Sequence, residues 1–225
     1  MTTNTLVRAA GLAAAVAGLI FIAVQINHPP MVVDSVTSTE WVVRNTAKVV
    51  FAALALAGIT GMYLRHVRST GVLGLIGYLV LSAGFLVIGS IAFIAAFILP
   101  TLADKAPAYA QDILTAAAGG SPTGDIGLMQ LAFIVSGLTY VVGGGVFGVA
   151  LFRARVLARW AAALLAVGTV ATLALKVLPH SFERPFAVPT GVALIGLGLA
   201  LWRDQRHSAP ETAVAAARVE PSPAR

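Results

Sequence analysis

Residues 72–99 read VLGLIGYLVLSAGFLVIGSIAFIAAFIL, without one charged side chain. A helix needs about 20 apolar residues to cross roughly 30 Å of hydrocarbon, and this run exceeds that. It does not alternate apolar with polar, as a barrel strand facing a lumen must. Inside lipid the backbone has to satisfy its own hydrogen bonds, which leaves the helix. The stretch reads as a membrane-spanning helix.

Working outward from it, five further segments share the pattern. The expected spans are 6–27, 46–64, 72–99, 126–152, 160–178 and 187–202. The 225-residue chain is 58% hydrophobic and 11% charged, with a mean hydropathy of +0.90, whereas a soluble domain is about 25% charged. The polar side chains are too few to cover a soluble globule. The expected fold is all-α: one domain over 1–202, a six-transmembrane-helix bundle, then a disordered cytoplasmic tail over 203–225. That tail is rich in Ala, Pro and charge and lacks apolar periodicity.

Charge sets the orientation. Arg8, Arg65, Arg68, Arg153, Arg155, Arg159, Arg203, Arg206, Arg218 and Arg225 fall on one side, and Arg44, Lys48, Lys105, Lys176 and Arg184 on the other. The positive-inside bias then places both termini in the cytoplasm of a multi-pass cell (inner) membrane protein. The basic residues sit in short loops beside spans, so the pI near 10.3 reports topology and not a nucleic-acid partner. Arg8 and the Ala/Leu-rich stretch after it look like a signal peptide. The apolar run continues to Ile26, too long for a typical one, so an uncleaved first span is expected. The absence of cysteine excludes disulfides, thiolate metal sites, iron–sulfur clusters and cysteine nucleophiles.

The even-numbered spans end alike, at Gly61 to Arg65, Gly148 to Arg153 and Gly198 to Arg203, with further glycines at Gly58, Gly145 and Gly196. The odd-numbered spans reach proline, at His28-Pro29-Pro30, Leu99-Pro100 and Leu178-Pro179. The pattern is that of three repeated helical hairpins. Glycines such as Gly143 to Gly145 predict close helix packing. In the loop 100–124, a short helix is expected from near Pro107, capped by Asp104 and ended by Gly119-Gly120, lying as a lid over the bundle.

No ionisable residue falls in the middle of a span, which argues against an ion-driven transporter with a midplane site. The outer edge is richer. His28 ends the first span, and Thr37 and Glu40 have capping-box spacing, placing the second helix start near Ser38. Glu40, Arg44 and Lys48 then stack on one helix face. Lys176, His180, Glu183 and Arg184 close the fifth span. The candidate ligand-binding residues are therefore His28, Glu40, Arg44, Lys48, Lys176, His180 and Glu183. They can be read as a solvated rim, as an anion-binding vestibule, or as a metal or haem held by His28 and His180; a His–Glu acid/base pair is a further option. His66 and His207, among arginines on the inner side, read as solvated.

His28-Pro29, Trp41 and Leu201-Trp202-Arg203 resemble motifs of a loose group of six-span bacterial integral membrane proteins with no assigned activity. That group often carries a histidine soon after the tryptophan, where this chain reads Trp41-Val42-Val43-Arg44-Asn45. The catalytic signatures Gly-x-Ser-x-Gly and His-Glu-x-x-His and the phosphate loop are absent. The leading expectation is a protein that binds or moves a small amphipathic molecule, or an integral subunit of a membrane complex. The alternative is a membrane-embedded enzyme acting on a lipid-like substrate, with His28 and His180 as acid/base or ligands. Whether it is an enzyme stays open. No cofactor is expected. The expected partners are the lipid bilayer, an amphipathic small molecule or lipid, and a membrane partner subunit.

Overall fold

The structure, a computed structural model, describes residues 3–173 and 187–217. The described residues form eight helices and no strand: α1 (Thr3–Ala23), α2 (Val33–Val36), α3 (Thr39–Phe97), α4 (Leu99–Lys105), α5 (Pro107–Ala117), α6 (Leu128–Ala154), α7 (Arg159–Ala171) and α8 (Ala187–Ala217). By length and composition α1, α3 and α6 can each cross a membrane, and α7 is a shorter apolar helix. Their outward faces carry large aliphatic side chains; Val72 is 73% exposed, Leu128 82% and Val167 65%. Water disfavours such a surface and lipid does not, so this is the exterior of a membrane protein.

α3 is two rods. His66 (φ −121°, ψ 19°) and Gly71 (φ 57°, ψ −152°) leave helical geometry, and the conformation at Gly71 is one that a Cβ would oppose. The chain reverses there. The arms 39–65 and 72–97 then run antiparallel, with the Tyr63 and Tyr78 rings stacked at 4.6 Å, Phe51 edge-on to Phe85 at 5.6 Å, and the Trp41 indole N–H donating to the Ala95 carbonyl at 2.8 Å.

The first arm packs on α1, the second on α6, α6 on α7, α7 on α8, and α8 back on α1. Glycine contacts give the directions. Gly11 lies against Gly198, Gly18 against Gly191, Gly58 against Ala14, Gly77 and Gly84 against Phe147 and Thr139, and Gly148 against Ala162 and Ala166. Six antiparallel rods thus follow one another round a closed ring, filled by Phe51, Phe85, Phe147, Leu165, Leu194 and Leu197. α6 is unbroken through Gly143 to Gly145, where Gly143 meets the Leu81 backbone and Gly144 meets Thr169. Those glycines serve close packing, as expected.

Several details differ from the sequence expectation. α1 stops at Ala23, and the chain turns through Asn27 with φ 51°. α3 begins at Thr39, next to the Ser38 start that the capping spacing predicted, but the Ser38 hydroxyl caps it by accepting from the Trp41 N–H at 3.2 Å. The cap is Ser38 and not Thr37. α5 starts after Ala106 with no side-chain cap, and Asp104 lies inside α4. α8 continues past Arg203, sharing residues with the expected tail. The glycines of the three expected repeats are not used alike: Gly58 and Gly61 face α1, Gly145 and Gly148 face α7, and Gly196 and Gly198 face different neighbours. His66 is not solvated. It is only 9% exposed in the bend of α3, and its Nε2 has no partner.

Candidate functional site

The site lies at the end of the bundle remote from that bend, where the two arms of α3, α6 and the short helices meet. α5 roofs it. Ala110, Ile113 and Leu114 face inward, against Val36, Trp41, Leu99, Ala103 and Ile126. The roof is tied down by its polar face. Gln111 Oε1 accepts from the Val33 N–H at 3.2 Å, and the Tyr109 hydroxyl donates to the Ile126 carbonyl at 3.4 Å. The Asp112 carboxylate accepts from the Thr123 N–H, the Thr123 hydroxyl and the Gly124 N–H at 2.8, 2.9 and 3.0 Å. These donors, the Thr123 N–H first, hold the Asp112 carboxyl below the usual carboxylate range. The expected lid helix is therefore present, but clasped.

Beneath it is a chamber of about 210 Å³. Its walls are apolar, from Ile88, Ile91, Leu99, Ile113, Met129 and Phe133. Trp41 holds one side open. Its ring is 2% exposed, its N–H is spent on Ala95, and it stands edge-on to His28 with centroids 6.0 Å apart. The polar end is made by Asn45 and Lys48, one and two helical turns after Trp41. The Asn45 amide donates to the Trp41 carbonyl at 2.9 Å, and its oxygen accepts from Lys48 Nζ at 3.3 Å.

Lys48 also reaches His28 Nε2 at 2.8 Å, while His28 Nδ1 lies 2.8 Å from the Pro29 carbonyl. That carbonyl can only accept, so Nδ1 carries the proton and Nε2 presents its lone pair to the ammonium. A metal ion at His28 would have to displace Lys48. No group of three or more His, Asp or Glu residues disposed to hold a metal occurs among the described residues.

The expected site residues thus separate. His28 and Lys48 come together, and Lys48 lines the chamber. Arg44 and Glu40 form an ion pair at 2.7 Å on the rim, with Glu40 half exposed. Arg44 also donates to the Val24 and Ile26 carbonyls at 3.3 and 2.6 Å, closing the C-terminal end of α1. These two fasten the first span to the second. Lys176, His180 and Glu183 lie outside the described residues. Trp41 and Asn45 were not among the sequence candidates. Their signal was faint: a tryptophan and an amide four residues apart, one turn before Lys48.

No protein-family model matches this chain, and no curated protein or solved structure is significantly similar to it.

Proposed function

We propose that this chain is a six-span inner-membrane protein, both termini cytoplasmic, that binds a small amphipathic molecule in the chamber under α5. The chamber carries the reading: its walls are apolar but for Ser136, whose hydroxyl donates to the Phe133 carbonyl, and one corner sets the Lys48 amine beside Asn45. A ligand with an apolar body and a carboxylate end matches both parts, because a charge-assisted hydrogen bond in a desolvated corner is among the stronger polar contacts. The orientation is supported by arginine. Arg65, Arg68, Arg153, Arg155, Arg159 and Arg203 all sit at the rod ends opposite α5.

The binding test uses purified protein in detergent and dodecanoate as probe, followed by isothermal titration calorimetry. Lys48→Gln is expected to weaken binding at least about tenfold while the protein stays folded and monodisperse. Equal binding by both proteins removes the proposal. Orientation has its own test, because the chain lacks cysteine. A thiol introduced at Ser121 is expected to react with an impermeant reagent in intact cells, and one at Ser69 only after permeabilisation. The reverse pattern inverts the topology.

A further inference from the structure

Below the chamber, the outward face between the two arms of α3 is hollowed into a second cavity, a cleft of about 450 Å³. Its cause lies in the sequence. Ala52 and Ala53 on the first arm oppose Gly89 and Ser90 on the second, and a Cβ on Gly89 would stand only 3.1 Å from that of Ala52. Larger residues flank this floor. Phe93 and Leu86 are 50% and 59% exposed, on the lipid-facing side. The Ser90 hydroxyl turns back to donate to the Leu86 carbonyl at 2.9 Å, which leaves the cleft apolar.

The cleft lies next to the chamber. Ile94 lines both, and Val49, which begins the cleft, directly follows Lys48. Lys48 is the one charged residue among the described residues that line the chamber. From Lys48 to Leu56 at the far end of the cleft is two turns of helix and more, about 12 Å. An amphipath anchored at Lys48 would run its chain past Ile94 into this apolar cleft, whose flanking Phe93 and Leu86 are exposed.

We infer that the chamber's ligand is a single-chain carboxylate of medium length, its head on Lys48 and its hydrocarbon in the cleft between the arms of α3. The inference rests on the reading of the chamber given above and adds the chain to it. One charged side chain suits a monoanion. One narrow cleft suits one chain, where a diacyl lipid brings two. A two- or three-carbon acid would leave the cleft unused.

The test is a chain-length profile on the full-length protein. Wild type is titrated with hexanoate and dodecanoate, beside Ser90→Phe and Ala53→Phe. Both positions are exposed and line the cleft but not the chamber, so the variants fill the path without touching Lys48 or the interior packing. Each buried methylene is worth about fourfold in affinity. Dodecanoate is expected to bind wild type at least about a hundredfold more tightly than hexanoate. Both variants should lose at least about tenfold of that ratio while hexanoate binding stays unchanged. If both acids bind and the ratio survives in both variants, the chain lies elsewhere and this inference fails alone. If neither acid binds wild type, the chamber reading fails and takes this one with it.

Discussion

Two regions of this bundle are built from the same apolar alphabet and end up opposite in character. Along the α1–α8 seam, Gly11 meets Gly198 and Gly18 meets Gly191, and the helices touch backbone to backbone. At the α5 end of α3 and α6, Trp41, Ile91, Met129 and Phe133 stand between the helices, and a chamber remains. The difference lies in residue volume at the contact, not in hydropathy. Lipid tails are as apolar as leucine, so helices in a membrane gain little from burying leucine against leucine. They gain from close approach, which small residues allow. Where a protein of this kind places bulky or aromatic residues at an interface with a roof above, it has given up that gain.

The largest expected effect comes from removing the close approach. A Cβ at Gly18 would collide with the Gly191 carbonyl, a backbone atom that no rotamer change can move. Gly18→Leu is expected to abolish the folded state, read as loss of the monodisperse peak in detergent. Gly137→Leu, on α6 with nothing within 4 Å of its added Cβ, is the matched control and should behave as wild type. If Gly18→Leu folds normally, the seam is not the close-packed region described here.

Next in size is the pillar on the open side. Trp41→Ala removes a fully buried indole and its hydrogen bond to Ala95, and should cost about 3–5 kcal/mol of stability. Trp41→Phe keeps the packing and gives up the bond, at roughly 1–3 kcal/mol. Unfolding in denaturing detergent would rank the two. Equal losses would mean that the hydrogen bond to Ala95, and not the ring's volume, carries the stabilisation.

Hydropathy made the long apolar segments legible, because a span has to be apolar along its whole length. The roof helix was legible from Pro107 and Gly119, since one favours a helix start and the other ends it at φ 79°. Ring closure was not, because it depends on which face each helix turns to its neighbour, and helices that are apolar all round carry no such signal. The chamber was hidden for the same reason: Ile88, Ile91 and Phe133 look like any span residue. Of the candidate cations, sequence could not separate Lys48, which turns into the chamber, from Arg44, which turns to Glu40 and the end of α1. They are four residues apart on one helix. His66 was misread from its neighbours in sequence, Arg65 and Arg68, when its neighbours in space are what bury it.

That histidine offers the finest probe of the contrast. In the open region every polar group of Asn45 and Lys48 described above has a partner, whereas the tight bend of α3 leaves His66 Nε2 without one. Burial lowers its pKa below the usual 6.5; Asp204 opposes the shift and Arg65 adds to it. The unfolded chain therefore takes up this proton at higher pH than the folded one. Above pH 6.5 both forms are neutral and the native state has its full stability; as pH falls from 6.5 through the lowered value, stability is lost, at a limiting slope of about 1.4 kcal/mol per pH unit. His66→Phe removes both the orphan nitrogen and the proton. It should match or exceed wild type at pH 7.5, since replacing an unpaired buried polar group by an apolar ring of similar shape costs little. Its advantage should then widen as pH drops to 5, with His28→Gln as a control that leaves the widening in place. A gap that stays constant with pH would show His66 to be hydrated in the native state, and the bend of α3 to be less tightly closed than the α1–α8 seam.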